Sequence, residues 1–199
     1  KHPIIVENLM GMRRVKGSIQ KGKKPILINH LKLVINAINE KKVEEIKKFR
    51  DKSLILIGFS GGFRRTELIS IDYEDLEFVP EGLKISIRRS KTDQFGEGMI
   101  KGIPYFSNEI YCPIVNLKKW LDISKINSGP IFRRFSKGSS LTDTRLSDQS
   151  VVLLMKEYLN LAGIENKNFA GHSLRSGFAT VAAESVSYTH LRAHETVRN

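Results

Sequence analysis

The chain has 199 residues, about one ordinary domain. Its composition, 40% hydrophobic and 27% charged, suits a soluble globule with a real core; no run reaches the ~18 apolar residues of a membrane span, and 15 Gly with 6 Pro exclude collagen-like and low-complexity classes. Against 21 Asp and Glu stand 33 Lys and Arg, a net charge of +12, which points to a polyanionic partner, most often nucleic acid, ahead of a merely solvated basic surface.

In chain order, residues 1–24 carry Arg13, Arg14, Lys16, Lys21, Lys23 and Lys24 against one acid, Glu7, and read as the end of a helix followed by a basic linker. Helical spacing then begins, with Leu31, Val34, Ile35 and Ile38 behind Asn29 as a candidate N-cap. A second helix is predicted from about Val43 to Phe59, ending in a deeply apolar run that Gly61 and Gly62 break, and a short helix follows from Arg65 to Ile71. The period then changes to two. Leu76 and Phe78, a Pro80-Glu81-Gly82 turn, and Leu83, Ile85 and Ile87 predict a β-hairpin with one buried face, and Met99 to Tyr105 a third strand. Pro113 to Ser124 is a short amphipathic helix and Ser136 to Arg145 a polar loop. Ser147 caps a long helix stopped by Gly163, and a last helix carries Leu174, Phe178, Val181 and Ala182. The expected class is α+β, mostly helical with a small three-stranded antiparallel sheet.

Three places set cationic groups beside special backbone. After Gly61-Gly62, Arg64 can project from a helix start, with Glu67 three residues on to hold it; alone, this is also an ordinary surface pair. Arg88, Arg89 and Lys91 sit at a hairpin end, which could enter a groove or simply solubilise a turn. His172 and Arg175 share the first turn of a helix, where both could donate to one phosphate, or where a capping His could sit beside an exposed Arg. The single cysteine, Cys112, excludes an internal disulfide and fits a reducing, cytoplasmic setting. No His, Cys, Asp or Glu cluster has metal-ligand spacing, so neither metal nor cofactor is expected.

Taken together and in order, Gly58-Phe-Ser-Gly-Gly-Phe-Arg-Arg-Thr-Glu-Leu68, the Lys91 of Ser90-Lys91-Thr92, and Gly171-His-Ser-Leu-Arg-Ser-Gly-Phe-Ala-Thr180 resemble the catalytic domain of the tyrosine recombinases, the phage integrase family. The resemblance covers roughly residues 25–185. It implies a site-specific recombinase that breaks and rejoins double-stranded DNA through a 3′-phosphotyrosine. It further implies that Arg64 and Arg175 hold the non-bridging oxygens, that His172 donates to them or handles a proton, and that Lys91 protonates the leaving 5′-oxygen. Glu67 supports the first arginine. Arg13, Arg14, Lys16, Arg65, Arg88 and Arg89 are expected along the DNA backbone, residues 1–24 as the end of a core-binding domain and its linker, and the full-length protein as a tetramer on DNA. No membrane association is expected. A non-catalytic DNA-binding relative and a type IB topoisomerase-like enzyme are the alternatives; a relaxation assay set against a two-site recombination assay separates the latter.

The C-terminal stretch departs from the family pattern. A second His and the nucleophilic Tyr should follow a further helix, about 30 residues on. Tyr188 follows Arg175 by only 13 positions and is rejected as nucleophile. Val186 to Glu195 also resembles a translated sequencing adapter (GTC TCT TAT ACA CAT CTC CGA GCC CAC GAG), so residues 186–199 are expected to be a non-native tail and the chain, beginning at Lys1, an inactive fragment.

Overall fold

The computed structural model describes residues 23–88, 98–169 and 172–196, with side chains through Glu184. Helices α1 (Ile28–Glu40), α2 (Glu45–Ser60) and α3 (Arg65–Ser70) come first. Strands β1 (Leu76–Val79), β2 (Gly82–Ile87) and β3 (Met99–Pro104) follow, then α4 (Pro113–Ser124), the hairpin strands β4 (Arg133–Phe135) and β5 (Leu141–Arg145), α5 (Asp148–Leu161) and α6 (Ser173–Thr196). The expected α+β class holds, with the three-stranded antiparallel sheet in the order β1-β2-β3.

Helix α2 is the axle of the fold. Its Leu54 and Ile57 join a core with the sheet, α4 and the β4–β5 hairpin. Its Ile55, Leu56 and Phe59 join a second core with α1, α5 and the start of α6. That is why the apolar run around 54–57 shows no polar face: a helix packed on both sides is apolar all round. Buried polar bonds fix its rotation. The Tyr158 hydroxyl donates to Asp51 Oδ2 at 2.6 Å, and Arg50, which Asp51 Oδ1 holds at 2.8 Å, donates from Nη1 to Arg133 O at 3.3 Å. Burial, reinforced by the Asp51 charge, pushes the Tyr158 hydroxyl far above its ordinary titration range, so it remains a donor.

Helix ends follow their sequence signals in most places. Ser147 Oγ accepts the Ser150 N–H at 3.2 Å and opens α5. At its far end Ile164 N–H donates to Leu159 O at 2.8 Å and Gly163 N–H to Asn160 O at 3.0 Å, a Schellman loop with Gly163 at φ +71°. Three expectations need correction. Helix α1 starts at Ile28, so Asn29 lies inside the first turn; His30 Nδ1 instead accepts the Leu27 N–H at 3.3 Å. Helix α2 begins at Glu45, two residues past Val43. The polar loop at 136–145 contains a strand, since Leu141–Arg145 pairs with Arg133–Phe135. Its Thr-Asp-Thr pattern is exposed or half-buried, so it carries no apolar alternation to announce it.

The segment entering α1 is fastened to α6. Lys24 N–H donates to Asn168 O at 2.7 Å and Ile26 N–H to Ser173 O at 3.0 Å. Ile26 is buried, and its carbonyl passes so near Gly177 that a Cβ there would stand 2.0 Å from the oxygen. Helix propensity alone makes Gly177→Ala stabilising by about 1 kcal/mol. The contact reverses that sign. Gly177→Ala should lower stability by about 1–3 kcal/mol, seen as a fall in the urea midpoint; a rise would show that the crossing is looser than described.

Candidate functional site

The site grows from the end of α2. Gly62 N–H donates to Phe59 O at 3.0 Å and Phe63 N–H to Gly58 O at 3.1 Å, which closes the helix as a Schellman loop. Gly62 takes φ +55°, a conformation L residues with side chains rarely adopt. The loop consumes the Gly58 and Phe59 carbonyls. Those of Gly61 and Gly62 remain, at the negative end of the helix dipole, as acceptors for cations.

Two cations take them. Arg175, in the first turn of α6, donates from Nη1 to Gly62 O at 2.7 Å. Lys101, on β3, donates to Gly61 O at 2.8 Å and Gly62 O at 3.2 Å. The extended Arg64 then opens α3. Its own N–H donates to Glu67 Oε2 at 3.0 Å and its Nη1 to Glu67 Oε1 at 2.6 Å, so one carboxylate fixes both the helix start and the guanidinium. Glu67 is only 4% exposed, and the Lys101 ammonium lies 3.7 Å from its Oε2. His172 precedes α6, is exposed, and accepts the Ser176 N–H on its carbonyl at 2.9 Å.

The electrostatics follow from this crowding. Burial pushes the Glu67 carboxyl up, but the Arg64 backbone and guanidinium hydrogen bonds and the Lys101 charge outweigh it and hold the group below the usual carboxylate range. Burial lowers Lys101; Glu67 opposes this, while the neighbouring Arg175 and Arg64 charges add to the lowering. Shared partners place the two arginines in one neighbourhood: Arg175 and Lys101 both donate to Gly62 O, and Lys101 and Arg64 both face Glu67. Among the described residues no group of three or more His, Cys, Asp or Glu is arranged to hold a metal ion.

The structure thus brings together Arg64, Glu67 and Arg175, with His172 one helical turn before Arg175. Arg65 instead faces Asp148, with 3.6 Å between the charged groups, and Arg88 donates to Asp75 Oδ1 at 2.7 Å. Lys91, Arg89, Arg13, Arg14 and Lys16 lie outside the described residues. Lys101 is the member that sequence reasoning missed. Its signal was present: it faces Ile85 in register on β2, so a lysine occupies a position on the buried face of the sheet.

Comparison with known proteins identifies the family. The sequence model of the phage integrase family matches residues 29–191. An integrase/recombinase xerD homolog from Selenomonas ruminantium is 48% identical over 176 residues, covering 88% of this chain and 51% of that protein. The tyrosine recombinase XerD of Corynebacterium glutamicum is 28% identical over 155 residues, 77% of this chain and 46% of the relative. In structure, the chain is similar to a XerH site-specific recombinase bound to its difH substrate, with TM-score 0.62 at 17% identity, covering 84% of this chain and 45% of the other. The chain belongs to the phage integrase family. It spans about half the length of the curated relatives it matches. Among the described residues no helix is long and apolar enough to cross a membrane.

The Glu67 position makes acid stability a direct readout. A carboxyl whose folded value lies below its ordinary value of 4.5 contributes stability that is complete above that pH and lost as pH falls through the folded value. Unfolding in urea should therefore become easier on acidification below about pH 4.5. Glu67→Gln should cost about 2 kcal/mol near neutrality, the buried-pair figure discounted for the partly exposed Arg64, and should flatten the acid-side loss. An unchanged acid profile in the variant would show that Glu67 does not hold the cluster.

Proposed function

We propose that this chain supplies the catalytic-domain portion of a site-specific recombinase that acts on double-stranded DNA. The observation that carries the reading is the meeting of Arg64 and Arg175 at the Gly61–Gly62 turn, from opposite ends of the domain sequence. Two guanidiniums fixed in advance suit a phosphodiester whose non-bridging oxygens gain charge when a hydroxyl attacks. In the proposed reaction a tyrosine hydroxyl forms the 3′-phosphotyrosine and the 5′-oxygen departs with a proton. Arg64 and Arg175 hold the phosphate, His172 donates to it or handles the nucleophile's proton, and Lys91 protonates the leaving oxygen. Arg13, Arg14, Lys16, Arg65, Arg88 and Arg89 add contacts to the DNA backbone, for which the +12 charge is the support. Residues 1–24 serve as the end of a core-binding domain and its linker, and 25–185 as the catalytic portion. The full-length protein works as a tetramer on DNA in the cytoplasm.

Tyr188 is not the nucleophile in this reading. Helix α6 runs without a break from Ser173 to Thr196, so the Tyr188 backbone stands ~20 Å along the same axis from Arg175. That separation supports residues 186–199 as an appendage without a catalytic role.

Titration of duplex DNA with the 199-residue chain tests the proposal. Affinity should fall steeply with salt, because phosphate contacts release counterions. Arg64→Ala and Arg175→Ala should each weaken binding about tenfold or more. Suicide substrates should trap no covalent phosphotyrosine. Affinity indifferent to both arginines would overturn the phosphate-binding role, and covalent product lost on Tyr188→Phe would overturn the rejection of Tyr188.

A further inference from the structure

Lys101 is absent from the three sequence motifs, yet it sits at the centre of the site. Its side chain is only 13% exposed. A lysine ammonium has three N–H donors and no acceptor. Here three oxygens surround it: Gly61 O at 2.8 Å, Gly62 O at 3.2 Å and Glu67 Oε2 at 3.7 Å. The Phe63 ring lies 4.4 Å away and covers a further side. Two carbonyls accept from the ammonium and the Glu67 carboxylate faces it at ion-pair distance, so it is turned into the cluster rather than outward.

Those partners are the attachment points of the two arginines. Gly62 O is shared with Arg175, and Glu67 is the carboxylate that clamps Arg64. We propose that Lys101 is a positioning residue, whose ammonium ties the α2 terminus to Glu67 and thereby sets how Arg64 and Arg175 stand relative to each other, without itself touching the phosphate. Removing the charge leaves the Gly61 carbonyl without this donor and frees the Gly61–Gly62 turn to shift against α3. The Arg175 anchor then moves relative to the Arg64 clamp. Lowering of Lys101 by burial and by the two arginines agrees with an ammonium embedded in the cluster.

The proposal rests on the reading that Arg64 and Arg175 hold a DNA phosphate, and the experiment separates the two. Affinity for one short blunt DNA duplex is measured for the 199-residue chain and for Lys101→Met, Arg64→Ala, Arg175→Ala and Lys101→Met/Arg175→Ala, at a temperature where each is folded by circular dichroism. Methionine keeps an unbranched stem beside Phe63 and removes the charge. Lys101→Met is expected to weaken binding about tenfold, the usual scale for losing a residue that orients a binding group. In the Arg175→Ala background the same change should cost little, because the group it positions is gone. Undiminished loss in that background would mean that Lys101 meets DNA directly and would overturn the proposal. Unchanged affinity in folded Lys101→Met would also overturn it, leaving only a structural role. If neither arginine variant weakens binding, the phosphate-binding reading fails first. Amine acylation of the unsubstituted chain, read by mass spectrometry, decides the case even if Lys101→Met does not fold. Lys101 should react slowly with and without DNA, whereas ready labelling that DNA suppresses would overturn the positioning role.

Discussion

The unspent carbonyls at the end of α2 are the constraint on which the site depends. A helix must leave its last carbonyls without intrahelical partners, and the Schellman loop here satisfies those of Gly58 and Phe59 while presenting those of Gly61 and Gly62. A negative pole in a half-buried corner attracts cations. The fold answers with one from α6 and one from β3, elements that share no local sequence. Because α2 is gripped by two cores, its end cannot drift, and whatever attaches there inherits that rigidity.

The cluster then carries more positive than negative charge by design. Arg64, Lys101 and Arg175 surround one buried carboxylate, Glu67. Three cations held close repel one another: burial first, and then the Arg175 and Arg64 charges, lower Lys101. On the proposed function, a monoanionic phosphodiester entering such a corner would relieve part of that repulsion, and the further charge that develops when the phosphorus is attacked would relieve more. In the proposed reaction the arrangement would favour the crowded, more negative state over the resting one, which is the requirement for rate enhancement by fixed dipoles and charges. Glu67 offsets part of this charge and fixes the Arg64 guanidinium.

Much of this was legible from residue order. Buried Leu83, Ile85 and Ile87 alternate with exposed Lys84 and Ser86 as the period-two pattern required, and Pro113 opened its helix where the sequence placed it. The Arg64–Glu67 pair followed from spacing along a helix start. The β4–β5 hairpin was hidden because each strand gives the core a single apolar residue, Phe135 and Leu141, too few to show an alternation. Asn29 misled because a good capping residue inside a first turn looks the same as one at its start. Lys101 was hidden for a different reason. Its role depends on cross-strand register with Ile85 and on the depth of a turn forty residues earlier, and neither quantity exists in a one-dimensional reading.

The fastening of the entering segment to α6 also has a mechanical meaning. The backbone from Lys24 to Ile26 hydrogen-bonds to Asn168 and Ser173, and its carbonyl seats against Gly177. The Ser173 and Gly177 attachments bracket Arg175 on either side, within one helical turn. A load on the chain upstream of Lys24 is therefore borne by the turn at Asn168 and by the start of the helix that carries the second arginine, before it can reach the sheet. The segment is inserted, tendon-like, beside the joint where the Arg175 guanidinium meets the Gly62 carbonyl.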